Sequence, residues 1–311
     1  KDMVKTHKIL IPNMAVTQCD LLLAVGVRFD DRVTGDAANF APQATIVHFD
    51  IDKVEINKIV HADISVNADL RWSLPHLCEG LKFDGQALYE RYEDWRHSVL
   101  DMKAVHPFAT RHLEGTISPQ SLFEALQAVT DDDTVVVTDV GQHQMWSAQF
   151  FNLNKPRHFI TSGGLGTMGF GFPAAIGATY ARPDLPVFCA AGDGSLMMNI
   201  QELDTCSRYN IPVKILLFNN ACLGNVRQWQ QMFYNKRYSN TIYSSNPDFV
   251  AVAEAMGVKG FSASAPEDIR SALEKAMAVD GPALINFCIP QEALVMPMVT
   301  PGDAIDKMVF N

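Results

Sequence analysis

Residues 187–220 read VFCAAGDGSLMMNIQELDTCSRYNIPVKILLFNN, and this stretch decides the fold. The apolar runs at 187–190 and 213–218 are continuous rather than alternating, which is typical of parallel strands buried on both faces. The segment between them predicts a helix, so the stretch is a strand–helix–strand unit. Both strands of such a unit end at the same edge of the sheet, where open α/β sheets bind ligands. We therefore expect Asp193 and Asn220 to lie together at that edge.

The alternation of strands and helices continues on both sides of this unit. Predicted strands are 134–138, 158–161 and 283–288, and predicted helices are 119–129, 143–150, 173–181, 200–209, 247–256 and 266–279. Ser118 followed by Pro119 is a typical helix start, so the second domain begins there. This order of elements predicts an α/β fold with a doubly wound parallel sheet.

The first part of the chain predicts a smaller α/β unit. Its predicted elements are strands 20–28, 45–50 and 64–69, a short helix at 54–60, and an amphipathic helix at 86–105 that His106-Pro107 ends. So few strands are unusual for a parallel sheet, which favours a truncated domain. We therefore predict a partial domain at 1–83, a linker with the amphipathic helix at 84–117, and a second domain at 118–311.

The composition excludes several classes of protein. Apolar residues make up 48% of the 311 residues, and the net charge of −10 argues against nucleic-acid binding. No apolar run approaches the ~18 residues of a membrane span, and the start does not resemble a signal peptide. The six cysteines form no C-x-x-C pair; they are Cys19, Cys78, Cys189, Cys206, Cys222 and Cys288. Their mostly apolar neighbours predict buried free thiols in a reducing compartment, and hence a cytoplasmic protein without membrane partners.

The residues at the two strand ends predict a magnesium site. A carboxylate and an amide oxygen, from Asp193 and Asn220, are the hard ligands that Mg²⁺ prefers, and this ion takes its other ligands from water and phosphates. Gly192 and Gly194 allow the backbone to approach a diphosphate closely. The alternative is that D-G and N-N are ordinary turn dipeptides. Each alone is more often a turn, but the pair across one strand–helix–strand unit favours the ligand interpretation.

Several motifs resemble one known family. Gly192-Asp193-Gly194, followed by 195–218 and Asn219-Asn220, is similar to the thiamine diphosphate motif of thiamine-dependent decarboxylases and carboligases. The segments that narrow the resemblance are TDVGQHQMW (138–146), SGGLGTMGFGFPAA (162–175), VRQWQ (226–230), RFDDRVTG (28–35) and PMVTPG (297–302). Together they resemble the catalytic subunit of acetohydroxyacid synthase, also called acetolactate synthase.

The resemblance implies an activity, its cofactors and its partners. The reaction is the condensation of two 2-keto acids with loss of CO₂, in the biosynthesis of valine, leucine and isoleucine. The implied cofactors are thiamine diphosphate, Mg²⁺ and FAD, the last in a structural role. The implied partners are small 2-keto acids, further copies of the chain and a regulatory small subunit.

The resemblance also implies roles for individual residues of this chain. Asp193, Asn220 and the backbone carbonyl of Cys222 match the metal ligands. The residues implied to contact thiamine diphosphate are Gly141, Gln142, His143, Gly166, Met168, Gly192, Asp193, Gly194, Ser195, Asn220 and Gly224. Met168 matches the residue that holds the cofactor bent, and Trp229 matches the residue that favours 2-ketobutyrate as second substrate. The residues that resemble the flavin-contacting set are Gly26, Arg28, Arg32, Asp50 and Asp69.

Each of these residues also has a plain structural interpretation. His143 is equally well explained as a helix-capping or surface histidine, Met168 as core filler and Trp229 as a residue packed on a helix. The RFDDR segment has the composition of a solvated, salt-bridged loop.

The chain departs from the family pattern in three places. The N-terminal pyrimidine-binding domain, with the glutamate that activates the cofactor, is not found, so we expect little synthase activity from the isolated chain. Residues 1–12 do not match the stretch expected before Asn13. Asn225 stands where the family often has an apolar residue, which predicts an altered pocket.

Three rival interpretations remain open at this point. Gly164, Gly166 and Gly169 fit the dinucleotide fingerprint, with Asp184 at the spacing of the ribose-binding acid, which predicts an NAD-dependent oxidoreductase. The second rival is an inactive fragment that only binds the cofactor or associates with other chains. The third is another thiamine enzyme, such as pyruvate oxidase or glyoxylate carboligase.

Overall fold

The computed structural model describes residues 10–81, 85–105, 113–152 and 154–310. The chain divides into two units, one within Lys1–Phe108 and Met296–Asn311 and the other within Ala109–Val295. The prediction had placed the tail after residue 295 in the second domain. The tail joins the first unit because Gly35 bridges to Ala304, and the Asn13 side chain donates a hydrogen bond of 2.9 Å to the carbonyl of Ile305. The predicted helix end at His106-Pro107 lies outside the described residues.

The first unit is built on a three-stranded parallel sheet in the order β1-β2-β3. Its elements are α1 (Leu10–Gln18), β1 (Leu21–Val25), α2 (Asp31–Thr34), β2 (Thr45–Asp50), β3 (Ile64–Asn67), α3 (Leu70–Gly80), α4 (Gly85–Arg91) and α5 (Glu93–Val105), with one turn of 3₁₀ helix at Ala37–Asn39. The tail adds an antiparallel pair, Met298–Val299 with Met308–Val309. The three strands confirm the predicted parallel arrangement.

Two helix predictions in the first unit need correction, and one helix was not predicted. The helix predicted at 54–60 is wrong: the segment forms turns, because Asp52 accepts a hydrogen bond from the backbone of Val54, and Asn57 has φ +61°. The helix predicted at 86–105 is interrupted at Tyr92, which separates α4 from α5. The unpredicted helix is α3, which contains Pro75, a residue that normally argues against a helix interior.

The second unit contains a six-stranded parallel sheet in the order β5-β4-β6-β7-β9-β8. Its elements are α6 (Pro119–Val129), β4 (Val135–Thr138), α7 (Gln142–Phe150), β5 (Phe159–Thr161), α8 (Gly171–Ala181), β6 (Val187–Gly192), α9 (Asp193–Leu196), α10 (Glu202–Arg208), β7 (Lys214–Asn219), α11 (Gly224–Phe233), α12 (Phe249–Ala255), β8 (Lys259–Ala263), α13 (Asp268–Met277) and β9 (Ala283–Cys288), with a 3₁₀ turn at Met197–Asn199. The structure therefore confirms the α/β fold class. β8 and α11 were not predicted from the sequence.

Two apolar clusters cover the two faces of this sheet. On β7, Leu216 and Phe218 belong to one cluster, whereas Ile215 and Leu217 belong to the other. Side chains along a strand alternate between faces, so the sheet is buried on both sides. This burial explains the continuous apolar runs of the sequence.

The strand order places a crevice between β4 and β6. From β4 the chain moves outward to β5, then returns to β6 on the other side of β4 and continues to β7. The carboxyl ends of strands at such a switch point bind ligands in open α/β sheets.

The predicted compartment was based on the state of the cysteines and on the lack of a long apolar segment. All six cysteines are free, and Cys189, Cys206 and Cys222 are buried. The prediction of buried thiols is wrong for Cys78 and Cys288, which are exposed. None of the helices within the described ranges is long and apolar enough to cross a membrane.

Candidate functional site

A pocket of about 200 Å³ opens at the switch point between β4 and β6. The predicted residues that line it are Gly141, Gln142, His143, Gly166, Met168, Gly192, Asp193, Gly194, Ser195, Asn220, Cys222 and Gly224. They lie at or after the carboxyl ends of four strands, β4, β5, β6 and β7, in the loops and the first turns of the helices that follow. The fold therefore brings together residues that are up to 83 positions apart, from Gly141 to Gly224, at one edge of the sheet.

Asp193 is the first residue of α9 and is only 2% exposed. Its Oδ1 accepts a hydrogen bond of 2.9 Å from the backbone of Gly194, and its Oδ2 accepts one of 2.8 Å from the Asn246 side chain. Burial raises the pKa of this carboxyl group above its ordinary value. Among the residues that the structure describes, no lysine or arginine pairs with it. A bound cation would therefore stabilise a carboxylate that burial destabilises.

Asn220 lies at the end of β7, and a network of amides orients it. Its Nδ2 donates to Gln142 Oε1 at 3.2 Å, and Gln142 Nε2 donates to Gln228 Oε1 at 2.9 Å. Gln228 is anchored in turn by two hydrogen bonds of 2.9 Å to the backbone of Val295. Asn220 Oδ1 accepts a hydrogen bond of 3.3 Å from Cys222 N, so it keeps acceptor capacity for a cation.

The candidate metal ligands are thus one carboxylate, one amide oxygen and one backbone carbonyl. Ala221, between Asn220 and Cys222, has φ +52°, so the chain turns sharply at this point. Within the described parts of the chain, no group of three or more His, Cys, Asp or Glu side chains is placed to hold a metal ion. Hard oxygen ligands of mixed origin fit Mg²⁺, which is bound by few protein groups.

Gly224, the first residue of α11, must be a glycine. A Cβ at this position would lie 2.0 Å from Gln142 Oε1 and 2.7 Å from Asn220 Nδ2, and both atoms belong to the amide network. We expect Gly224→Ala to destabilise the second unit by about 1–3 kcal/mol, because the network cannot shift without losing hydrogen bonds. The measurement is chemical denaturation. Gly177→Ala is the matched control: with no atom within 4 Å in α8, it should instead stabilise by about 0.5–1 kcal/mol.

His143 lies in the first turn of α7 and is almost completely buried. Its Nε2 has no hydrogen-bond partner among the described residues, although the ring lines the pocket. Buried polar atoms usually have a partner, so this nitrogen is a candidate to bond a ligand in the pocket. Burial lowers the pKa of His143 to about 4, while the negative charge of Asp139 acts in the opposite direction.

The lowered pKa of His143 predicts a pH dependence of stability. Between the unfolded value of 6.5 and about 4, the unfolded chain binds more protons than the folded chain, so stability falls as pH falls. The shift corresponds to at most about 3 kcal/mol. Denaturation of the ligand-free protein should show this loss, and His143→Gln should flatten it. Above pH 7 both proteins should show the same dependence; a loss of equal size in the variant would contradict the assignment.

Asp139 organises the glycine-rich loop and was not predicted as a functional residue. Its buried carboxylate accepts hydrogen bonds from the backbone of Val140 (2.8 Å), Gly169 (2.9 Å) and Gly171 (2.7 Å). A Cβ at Gly171 would lie 2.4 Å from Asp139 N, so only glycine permits this approach. The loop presents Gly166 and Met168 to the pocket.

Three further residues near the site differ in whether they line the pocket. Trp229 lies on α11 with its ring edge-on to Phe233 at 6.0 Å, and it is not among the described residues that line the pocket. Asn225 does line the pocket, and its Oδ1 is buried without a partner in the described structure. Tyr243 packs over Gly194, and burial raises the pKa of its hydroxyl group to about 12.

The five predicted flavin contacts lie in the first unit. Gly26, Arg28 and Arg32 follow β1, Asp50 ends β2, and Asp69 follows β3. They thus share the carboxyl edge of the small sheet. Arg28 forms an ion pair of 2.5 Å with Asp30, Asp50 accepts a hydrogen bond of 2.8 Å from Asp52 N, and Asp69 pairs with Arg71 at 2.7 Å and caps α3. The Arg28–Asp30 pair lies in the RFDDR loop, as the alternative interpretation expects.

The dinucleotide fingerprint has a different setting from the one that NAD binding requires. Its glycines lie in the loop after the edge strand β5, where Asp139 fixes Gly169. Asp184 precedes β6 and therefore lies at the amino edge of the sheet, away from the pocket. A ribose-binding acid belongs at the carboxyl end of a strand.

Comparison with known proteins agrees with this geometry. Residues 139–287 match the thiamine pyrophosphate enzyme C-terminal TPP-binding domain, and residues 2–77 match the central domain of the same enzymes. The chain is 44% identical over 307 residues to acetolactate synthase isozyme 2 large subunit of Escherichia coli K12, covering 99% of this chain and 54% of that protein. It is 45% identical over 311 residues to the acetolactate synthase large subunit of Parasynechococcus marenigrum, covering 99% of this chain and 49% of that protein. It is also 41% identical over 315 residues to chloroplastic acetolactate synthase 1 of Nicotiana tabacum, covering 99% and 47%.

The sheet, the pocket and these matches define a chain of the thiamine pyrophosphate enzyme class, with the central and C-terminal domains of that class. Within the class, the chain is a homologue of acetolactate synthase large subunits. It spans about half the length of the curated relatives that it matches.

Proposed function

We propose that this chain carries the metal- and diphosphate-binding part of a thiamine diphosphate- and Mg²⁺-dependent acetolactate synthase. That activity decarboxylates pyruvate and joins the remaining fragment to a second 2-keto acid, pyruvate or 2-ketobutyrate. The observation that carries the proposal is the meeting of Asp193, Asn220 and Cys222 at adjacent strand ends, beside the unpartnered Nε2 of His143.

The residues of the pocket fit the two groups chemically. Asp193, Asn220 Oδ1 and the carbonyl of Cys222 would hold Mg²⁺, and the backbone at Gly141 together with His143 Nε2 would donate hydrogen bonds to the diphosphate. His143 is neutral at pH 7, so it would donate the proton of Nε2 only as the tautomer protonated on that atom. The hydrogen-bond partner of His143 Nε2 would then be a phosphate oxygen of the cofactor.

The remaining residues would position the substrates and exclude water. When bound, thiamine diphosphate supplies a nucleophilic carbon and accepts the electrons released with CO₂. Met168 would contact the cofactor from the glycine-rich loop. Trp229 would contact the second substrate from α11, beyond the residues that line the pocket. One additional methylene in that contact gives only about 1–3 kcal/mol of discrimination.

We also propose FAD at the carboxyl edge of the small sheet, with Gly26, Arg28, Arg32, Asp50 and Asp69 as its contacts. The shared edge supports this assignment, but Arg28 would have to exchange Asp30 for a phosphate. The relatives are large subunits by name, which supports a small subunit as partner of this chain, and we propose self-association as a further expectation.

Acetolactate formation tests the proposal. Because the chain spans about half of its relatives, it is mixed with the separately produced N-terminal part of the Escherichia coli relative. With thiamine diphosphate, Mg²⁺ and FAD present, we expect pyruvate to be converted to acetolactate. The same mixture with Asp193→Ala should be inactive. Cofactor binding without any activity in the mixture would contradict the synthase assignment and favour a chain that only binds the cofactor.

A further inference from the structure

A segment that the sequence analysis did not assign runs alongside the candidate metal ligands. We call residues 241–248 the strap, since it follows α11 and leads into α12. At one end, Leu223 N donates to Thr241 O at 2.8 Å, and Tyr243 N donates to Ala221 O at 3.0 Å. At the other end, the Asp248 side chain caps α12. The strap is therefore anchored on both sides of the position where Asn246 stands.

Asn246 connects the strap to the ends of two central strands. Its Nδ2 donates to Asp193 Oδ2 and to Asn219 Oδ1, both at 2.8 Å. An amide nitrogen carries two hydrogens, so both bonds can form at once. Asn219 Nδ2 in turn donates to Asn286 Oδ1 at 3.1 Å, which extends the chain of hydrogen bonds to β9.

These bonds determine how the Asp193 carboxylate faces the pocket. Gly194 N donates to Oδ1 and Asn246 Nδ2 donates to Oδ2, so the carboxylate cannot rotate without breaking one of these partly buried hydrogen bonds. A carboxylate oxygen has two lone pairs, so it can accept a hydrogen bond and bind a cation at the same time. Asn246 also precedes Pro247, which restricts its backbone to extended conformations.

We propose that Asn246 is a positioning residue for the metal site. This proposal rests on the proposed function, because it assumes that Asp193 binds Mg²⁺. Asn246 does not touch the metal; it holds the carboxylate in the orientation that binds the ion. Groups that orient metal ligands typically contribute about 10–100-fold to metal affinity.

Magnesium titration of Asn246 variants tests this proposal. Asn246→Ala removes the donor, and Asn246→Leu removes it while keeping most of the volume. Asp248→Ala is the matched control, because it loosens the same strap through the cap of α12 without contacting Asp193. Mg²⁺ affinity is measured by calorimetry at saturating thiamine diphosphate, thiamine diphosphate affinity at saturating Mg²⁺, and folding by thermal melting.

We expect both Asn246 variants to raise the Mg²⁺ dissociation constant by about 10-fold or more, with thiamine diphosphate affinity at saturating Mg²⁺ within about twofold. Asp248→Ala should lower the melting temperature and leave the Mg²⁺ constant unchanged. An unchanged Mg²⁺ constant in the Asn246 variants, equal losses in both affinities, or failure of both variants to fold would overturn the positioning role alone. If the unaltered chain shows no Mg²⁺-dependent binding, the proposed function fails, and this inference fails with it.

Discussion

Asp193→Asn is expected to weaken Mg²⁺-dependent binding of thiamine diphosphate by at least about 100-fold, or about 2.7 kcal/mol. The substitution removes the one negative charge among the three candidate metal ligands while it keeps the shape of the side chain. The remaining amide and carbonyl oxygens are neutral, so most of the electrostatic attraction for a divalent cation is lost. Calorimetric titration with the cofactor, with and without Mg²⁺, measures the loss.

The same substitution should not harm the fold, and this separates a ligand from a structural residue. Burial raises the pKa of Asp193, so the ligand-free protein bears the cost of a poorly solvated carboxylate. An asparagine avoids that cost but replaces one of the two acceptors by a donor that faces the N–H of Gly194 or Asn246, so the melting temperature without ligands should change little. Asp204→Asn, at an exposed residue paired with Arg208 on α10, is the control and should leave both quantities unchanged. If the Asp193→Asn variant binds the cofactor with full affinity, or if it fails to fold, the role of Asp193 as a metal ligand is contradicted.

Asp139→Ala is expected to destabilise the second unit by about 3 kcal/mol, because it leaves buried backbone N–H groups without an acceptor. The groups affected are those of Val140, Gly169 and Gly171, two of which fix the glycine-rich loop. We also expect weaker cofactor binding, since the loop carries Gly166 and Met168. Chemical denaturation and calorimetry measure the two effects.

Asp131→Ala provides the comparison for this prediction. Asp131 also accepts a backbone hydrogen bond, from Asp133 at 2.9 Å, but in an exposed turn before β4. Its loss should change the free energy of unfolding by no more than about 0.5 kcal/mol. A comparably small change for Asp139→Ala would mean that water or a rearranged loop supplies acceptors for the freed backbone N–H groups, which would contradict the prediction.

The sequence predicted the central sheet well because its strands are buried on both faces. Continuous apolar runs such as 213–218 are unambiguous signals, and the acidic and amide residues that end them lie at a common edge by topology alone. The helix at 54–60 was predicted from composition, but the side chains of Asp52 and Asn57 bond to nearby backbone and favour turns. Local hydrogen bonds of this kind do not alter the spacing of apolar residues, so that spacing could not reveal the turns.

The residues that were missed act over long distances in the chain. Asn246 is 53 positions from Asp193, and in the sequence it is only a polar residue before a proline. Asp139 stood inside a quoted motif, but its bonds to Gly169 and Gly171 depend on how the loop after β5 folds back. A signal was present in the glycines themselves, since close approach to a buried group is one reason for glycine in a loop. The tail after residue 295 was placed in the second domain because it follows that domain in the sequence. In the structure, Ile305 of the tail packs in the core of the first unit.

Calorimetric titration of the unaltered chain tests the central claim most directly, namely that Asp193 and Asn220 hold a magnesium ion that anchors a diphosphate. Thiamine diphosphate is added with and without Mg²⁺, and thiamine lacking the diphosphate serves as the matched ligand. We predict saturable binding of thiamine diphosphate that requires Mg²⁺, with no comparable binding of thiamine. Equal binding of the two ligands, or no binding of thiamine diphosphate in the presence of Mg²⁺, would contradict the account.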